Sequence, residues 1–141
     1  MKRQDLRKHA FLITFARSIN FDSPSEAIDN YLLSFKEDYE KKNGKFSENN
    51  MLFVKDIING INTHIEEIDA VIEKYSKGYD ISRISKIALA ALRVSIYEIL
   101  YRDDIPNSVS VNEAVSLVKE YDDDKTKKFV NGVLGTFISE L

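Results

Sequence analysis

Three lysines stand close together near the C-terminal end of the chain. Lys125, Lys127 and Lys128 follow three consecutive aspartates, residues 122–124. The pattern predicts that the lysines lie on the first turn of a helix. Cations are locally unfavourable there, because a helix N-terminus carries about half a positive charge and exposed backbone N–H groups. Lysines beside free backbone donors are typical of a phosphate site, so this segment is a candidate for binding an anion.

The aspartates offer a structural explanation of the same segment. Asp124 can cap the helix through its carboxylate, and three acids balance three lysines. Runs of charge are also commonly solvated surfaces. A cap needs only one carboxylate, however, so this feature alone leaves the phosphate site and the capped, solvated helix start both open.

A second basic segment lies at the N-terminal end. Residues 1–8 contain four basic side chains and one acidic side chain, which leaves three net positive charges. Because the whole chain carries a formal charge of -3, the other residues together carry -6. A basic end on an acidic body suits a protein that binds a few phosphates rather than one that coats nucleic acid nonspecifically.

The composition narrows the class of protein. A chain of 141 residues is long enough for one compact domain or two small packed subdomains. The absence of cysteine excludes disulfides and thiolate metal sites and favours a reducing compartment. No secretory segment follows the first methionine, and four charged residues interrupt the most apolar run, residues 81–101. We therefore expect a cytoplasmic protein that does not enter a membrane.

Apolar residues recur three and four positions apart along nearly the whole chain, which predicts helices, and no alternating strand pattern competes. Local start and stop signals divide the pattern into seven helices. The predicted helices cover about residues 3–19, 24–43, 48–60, 64–77, 81–102, 111–121 and 124–138. The start signals are Ser23 with Pro24 and Glu26 for the second helix, Ser47 for the third, Thr63 with Glu66 for the fourth, and Ser110 with Glu113 for the sixth.

The fifth predicted helix is apolar on nearly every side, so it should be the central element of the core. Gly60 marks either the end of the third helix or a sharp bend in it. The resulting fold class is all-α, a seven-helix bundle made of two packed helical parts. We expect residues 1–60 to form an N-terminal three-helix part and residues 61–141 a C-terminal four-helix part.

The residue types give little support for catalysis or metal binding. His9 and His64 are far apart in the sequence, and neither has a partner at metal-ligand spacing. Glu113 is already assigned to a helix start. No GxxxxGK or HExxH motif and no recognisable nucleophile with an adjacent base is present. The sequence therefore predicts a chain without a cofactor or metal that is not an enzyme.

Several segments together carry a resemblance to a known family. They are IPNSVSVNEAVSLVKEY at residues 105–121, KKFVNGVLG at residues 127–135, ALRVSIYEIL at residues 91–100 and the basic first helix. In these segments the chain resembles the NusB family of transcription antitermination factors over nearly its full length. The mutual spacing of VNEA at residues 111–114 and KFVNGVL at residues 128–134 is the most specific part. FVKDIING at residues 53–60 is a weaker match.

The resemblance implies an all-helical RNA-binding protein without catalytic activity. It implies binding of single-stranded boxA RNA from ribosomal RNA leader transcripts together with NusE, a small-subunit ribosomal protein, within an RNA polymerase antitermination complex. RNA would contact the start of the first helix and the start of the last helix. Carried over to this sequence, the RNA-binding residues are Lys2, Arg3, Arg7, Lys8, Lys125, Lys127, Lys128 and Phe129. These two segments must then be adjacent in the fold.

Some positions depart from the family pattern. Gln4 and Asp5 interrupt the basic run, although Arg3 and Arg7 still share a helix face. Phe15 stands where many relatives have tyrosine, and Gly135 stands where an acidic residue is common. Phe129 could stack on an unpaired base or pack in the core, and the sequence leaves both roles open.

Two further functions remain as alternatives at this point. The first is a protein–protein adaptor of a ribonucleoprotein that makes no direct RNA contact. The second is an RNA-modifying enzyme, because similar helical domains precede some methyltransferase domains. For a basic protein partner, a candidate docking surface is the acidic side of the fourth helix, which a solvated surface would explain equally: Glu66, Glu67, Asp69 and Glu73.

Overall fold

The computed structural model describes residues 2–19 and 25–141. Within these residues the chain forms seven α-helices and one short 3-10 helix, η1, and no strand. The elements are α1 (Arg3–Ile19), α2 (Ser25–Asn43), α3 (Glu48–Thr63), α4 (Ile65–Tyr75), η1 (Ile81–Arg83), α5 (Lys86–Tyr101), α6 (Asn107–Tyr121) and α7 (Asp124–Ser139). The predicted all-α class is confirmed.

Helix α5 is the centre of the core. Every residue from 88 to 98 is buried, and α1, α3, α4, α6 and α7 all pack against this helix. Its alanines at positions 88, 90 and 91 are at most 1% exposed, so neighbouring helices approach closely. The division of the chain near residue 60 stays a prediction, and α5 packs against helices from both sides of it. No helix in the described ranges is long and apolar enough to cross a membrane.

Two helix starts show how local capping works in this chain. Ser47 caps α3, as predicted, because its hydroxyl oxygen accepts a hydrogen bond from the backbone N–H of Asn50 at 3.1 Å. The fifth helix, however, begins later than predicted. Residues 81–83 form η1, and Ser85 then caps α5 by accepting from the N–H of Ala88 at 3.1 Å.

Two predicted capping boxes are wrong. Thr63 is the last residue of α3, and α4 begins after His64 without a side-chain cap. Ser110 lies inside α6, which begins directly after Pro106, and its side chain is buried against α5. Proline fixes a backbone angle that suits a helix start, so Pro106 sets this boundary earlier than the serine pattern suggests. The predicted start at Ser23 and Pro24 lies outside the described residues, as does the side chain of Glu26.

Helix α3 continues through Gly60 to Thr63, so Gly60 does not end it. Its hydrogen faces the ring of Tyr97 on α5, and a Cβ atom added there would lie only 2.1 Å from Cε1 of that ring. Gly60 therefore serves close packing between α3 and α5.

Candidate nucleic-acid interface

The start of α7 is built by the aspartates that precede the lysines. Asp123 is the N-cap, and its Oδ1 accepts from the backbone N–H of Thr126 at 2.8 Å. This hydrogen bond holds the pKa of Asp123 below its usual value. Asp124, the predicted cap, is instead the first residue of the helix. Asp122 accepts from the hydroxyl of Ser85 at 3.2 Å and from the N–H of Asp123 at 2.8 Å, so two of the three aspartates have structural partners.

Replacing Asp123 with alanine should remove the cap and destabilise α7. We expect Asp123→Ala to lower the Tm by roughly 2–6 °C, because one backbone N–H at the helix start loses its acceptor. The matched control is Asp124→Ala, which removes a neighbouring acid that makes no capping bond. Thermal unfolding followed by circular dichroism measures both variants. Equal shifts for the two would contradict the assignment of Asp123 as the cap.

The three lysines face solvent around this helix start. Lys125 and Lys128 are exposed, and Lys127 is half-exposed. None of the three forms an ion pair with a described residue. Phe129 is half-buried, since its ring packs against the core and lies nearly perpendicular to the ring of Tyr79, with ring centroids 5.8 Å apart. The structure thus leaves three positive charges at an exposed helix N-terminus, with an aromatic ring beside them.

Lys8 on α1 contacts the end of α6 that leads into α7. Its Nζ donates to Oε1 of Glu120 at 2.7 Å and lies 5.6 Å from the ring centroid of Tyr121. The bond to Glu120 raises the pKa of Lys8. Glu120 and Tyr121 end α6, directly before the turn into α7. The N-terminal half of α1 therefore lies against the end of α6, next to the turn that leads into α7.

Arg3 lies farther from the lysine cluster. Its Nη1 donates to Asp104 at 2.9 Å, and its guanidinium lies 4.9 Å from the ring centroid of Phe53. Asp104 precedes α6, whereas Lys8 contacts the end of that helix. The partners of Arg3 and Lys8 therefore lie at opposite ends of α6, a helix of 15 residues and about 22 Å. Of the predicted N-terminal residues, Lys8 is the one that contacts the end of α6 leading into α7.

The structure corrects the role predicted for Arg7. This side chain is 3% exposed, and its Nε donates to both carboxylate oxygens of Glu98 at 2.8 and 3.0 Å. Its Nη2 donates to Glu98 at 2.8 Å, and its Nη1 lies 4.0 Å from Glu113. Glu98 is fully buried, and this burial raises its pKa against the opposing effect of Arg7. Arg7 is thus occupied inside the protein and is not exposed to meet RNA.

The acidic side of α4 is only partly as predicted. Glu66, Glu67 and Glu73 are exposed, and Glu67 accepts a hydrogen bond from the hydroxyl of Tyr101. Asp69 is half-buried and holds Arg93 through two hydrogen bonds of 2.9 and 2.8 Å. Its charge is neutralised inside the fold, so Asp69 does not belong to an acidic docking surface.

Comparison with known proteins decides the family. The NusB family model matches residues 4–139. The chain belongs to the NusB family. It is 41% identical over 138 residues to the transcription antitermination protein NusB of Acetivibrio thermocellus, which covers 98% of this chain and 89% of the relative. It is 42% identical over 139 residues to the protein of the same name from Clostridium acetobutylicum, with 99% and 96% covered.

Solved NusB structures share the fold of this NusB-family chain. T. maritima NusB superposes with a TM-score of 0.83 at 25% identity and covers 99% of this chain and 92% of that one. A second structure contains antitermination factors NusB and NusE in complex with double-stranded RNA. It matches with a TM-score of 0.81 at 29% identity, with 99% and 97% covered. The resemblance seen in the sequence is confirmed, and membership of this family agrees with the prediction that the chain is not an enzyme.

Proposed function

We propose that this NusB-family protein is an RNA-binding antitermination factor that binds the boxA element of ribosomal RNA leader transcripts together with NusE. In this role it promotes transcription of ribosomal RNA operons within the RNA polymerase antitermination complex, in the cytoplasm. The related complex of NusB, NusE and double-stranded RNA supports RNA and NusE as partners. Recognition of boxA as a single strand is our proposal for this chain.

The observation that carries the proposal is the contact of Lys8 with the end of α6, directly before the exposed lysines of α7. We define the basic strip as the exposed or partly exposed residues of the two segments: Lys2, Arg3, Lys8, Lys125, Lys127, Lys128 and Phe129. Arg3 and Lys8 hold exposed carboxylates in the free protein. Exposed ion pairs contribute little free energy, so RNA phosphates can replace those carboxylates at small cost.

Arg7 holds α1, which carries part of the basic strip, against α5. Its paired guanidinium fastens α1 to α5 at a point between Arg3 and Lys8. This fixes the direction in which α1 presents its exposed cations. In the proposed function Arg7 is therefore a positioning residue, and the RNA contacts are made by its exposed neighbours.

The basic strip should be tested by removing the α7 lysines together. In the triple variant Lys125→Ala, Lys127→Ala, Lys128→Ala, we expect weaker binding of a fluorescein-labelled, single-stranded 12-nucleotide boxA RNA. The slope of log affinity against log salt should also become less steep by about 2, because each single-strand phosphate contact contributes about 0.7. Fluorescence anisotropy between about 50 and 200 mM salt measures both quantities.

A matched control distinguishes RNA binding at the basic strip from nonspecific attraction of RNA to positive charge. The variant Lys36→Ala, Lys41→Ala, Lys45→Ala, on α2 and directly after it, removes the same charge from residues that do not line the cavity next to Lys8. We expect it to bind RNA like the parent. Equal weakening by both triple variants would show nonspecific attraction, and the absence of saturable binding by the parent at every salt concentration would favour the adaptor without RNA contact.

For NusE we propose the exposed carboxylates of α4 as the docking surface. Glu66, Glu67 and Glu73 remain available there after the pairing of Asp69 with Arg93. A basic ribosomal protein would be attracted to this side of the molecule, and complementary charge mainly sets partner choice and association rate.

A further inference from the structure

An exposed aromatic residue outside the basic strip contacts the start of α7. Tyr79 is 53% exposed and lies in the segment between α4 and η1. Its ring meets Phe129 edge to face, with an interplanar angle of 80°. Part of the ring of Tyr79 therefore covers Phe129, and the rest is presented to solvent.

The backbone holds Tyr79 in this position. The buried Ser76 donates its hydroxyl to the carbonyl oxygen of Tyr79 at 2.8 Å, and the N–H of Tyr79 donates to the carbonyl of Ser76 at 3.3 Å. Between them, Lys77 and Gly78 both have positive φ angles, of 51° and 88°. Such angles are unusual for lysine, so the turn is a specific one that fixes where the tyrosine points.

Two cavities of about 240 Å³ each flank the aromatic pair. Arg83 and Lys125 line the first, whose apolar floor includes Ile84 and Ala88. Lys77 and Lys128 line the second, beside Gly132. No carboxylate lines either cavity among the described residues. Each side of the Tyr79–Phe129 pair thus presents two cations.

These cations are not held in ion pairs, although the charge of Lys125 acts on the carboxylate of Asp123. In the described part of the chain, Lys77, Arg83, Lys125 and Lys128 form no ion pair. The neighbouring acids Asp80 and Asp123 line neither cavity, and Asp123 is used as the cap of α7. A purely structural role would explain an aromatic residue covering Phe129. It would not explain four cations gathered around it in a chain of net charge -3.

We propose that Tyr79 and Phe129 form a stacking subsite for one unpaired RNA base, with Arg83 and Lys125 on one side and Lys77 and Lys128 on the other binding the adjoining phosphates. The proposal rests on the proposed function and extends its RNA surface to the segment between α4 and η1. Aromatic faces accept any base, and alternating cations follow the backbone, which is how proteins bind single strands. Arg83 can form two parallel hydrogen bonds to a phosphate, which a lysine cannot.

The subsite shares Lys125, Lys128 and Phe129 with the basic strip and is connected to the end of α6 through Ser85. Ser85 lines the first cavity and donates its hydroxyl to Asp122, which follows Tyr121 at the end of α6. Lys8 lies over the ring of Tyr121. A strand passing from Lys8 to Arg83 and Tyr79 would cross the α6–α7 turn, whose aspartates Asp122 and Asp123 are engaged in hydrogen bonds to Ser85 and to the start of α7.

Single substitutions test the subsite. For the fluorescein-labelled boxA 12-mer, we expect Tyr79→Ala to weaken binding about tenfold, within a range of about 5- to 150-fold for loss of one stacked base. Tyr79→Phe should bind like the parent because the ring remains, and Arg83→Ala should weaken binding severalfold. The controls are Tyr31→Ala, which removes a tyrosine of similar exposure from α2, and Lys41→Ala on the same helix. Both controls should bind like the parent.

A direct readout separates stacking from a structural role. RNA carrying 5-iodouridine should photo-crosslink to Tyr79 in the parent and to the phenyl ring in Tyr79→Phe, as mapped by mass spectrometry. One set of results overturns the subsite: the parent binds RNA and the α7 lysine variant binds it weakly, but Tyr79→Ala and Arg83→Ala bind like the parent. In that set, no crosslink maps to residue 79 either. The proposed function would stand in that case. If the parent shows no saturable binding, the proposed function fails and the subsite fails with it.

Discussion

Replacing Arg7 with alanine is expected to lower the free energy of unfolding by about 3–5 kcal/mol. The substitution leaves the carboxylate of Glu98 fully buried with its main partner removed. An unpaired buried charge is costly, because the low-dielectric interior replaces neither its hydration nor its hydrogen bonds. Urea denaturation of Arg7→Ala, monitored by circular dichroism, measures the loss.

The loss should depend on pH in a defined direction. Burial raises the pKa of Glu98 above its unfolded value, so the folded state binds this proton more readily than the unfolded state. The contribution of Glu98 to stability therefore decreases as the pH rises from about 4.5 through the raised pKa. Removing Arg7 raises this pKa further. We expect the destabilisation by Arg7→Ala to be largest at high pH and to decrease as the pH falls through the raised pKa of Glu98.

Two controls isolate the buried pair. Arg3→Ala removes an ion pair from the same helix, but Arg3 and Asp104 are about half exposed, so the loss should stay below about 1 kcal/mol. The double variant Arg7→Met, Glu98→Leu removes both charges and should recover most of the stability. If Arg7→Ala unfolds like the parent yet binds boxA RNA poorly, Arg7 is a direct RNA contact and our assignment is wrong.

Arg7 also shows what the sequence could and could not reveal. The helical period predicted the bounds of α1 correctly, and Arg7 stands three and four positions before Ala10 and Phe11, which are buried. Glu98 is likewise an acid inside an apolar helix. Both are signs of a buried pair, but the partners lie 91 residues apart. Charge alone therefore could not distinguish this arginine from the exposed cations beside it.

The other differences between prediction and structure also arise from contacts that a local sequence pattern does not show. Ser110 has capping-box spacing, but Pro106 starts α6 earlier. Thr63 has the same spacing, but α3 continues through it. Tertiary packing and neighbouring residues thus override the local pattern at both positions. The lysines of α7 were predictable because a helix start is a local feature. Tyr79 was not, since its role depends on the turn that brings it onto Phe129, 50 positions later.

Gly60→Ala should be the second strongly destabilising substitution. Alanine normally stabilises a helix by about 1 kcal/mol relative to glycine, yet here its Cβ would lie 2.1 Å from Cε1 and 2.3 Å from Cζ of Tyr97. The ring cannot withdraw easily, because Tyr97 is 5% exposed and its hydroxyl donates to Asp56 at 3.1 Å. Burial raises the pKa of Tyr97 to about 12, so the hydroxyl keeps the proton it donates.

The clash should therefore outweigh the helix propensity and leave a net loss of about 1–3 kcal/mol in unfolding free energy. Gly135→Ala is the matched control, because this helical glycine has open space around it and alanine should stabilise α7 by up to about 1 kcal/mol. A double-mutant cycle with Tyr97→Leu tests the cause. If the ring of Tyr97 excludes a side chain at position 60, Gly60→Ala should lower the free energy of unfolding much less in the Tyr97→Leu background than in the parent. Additive losses would show that the strain arises from another contact.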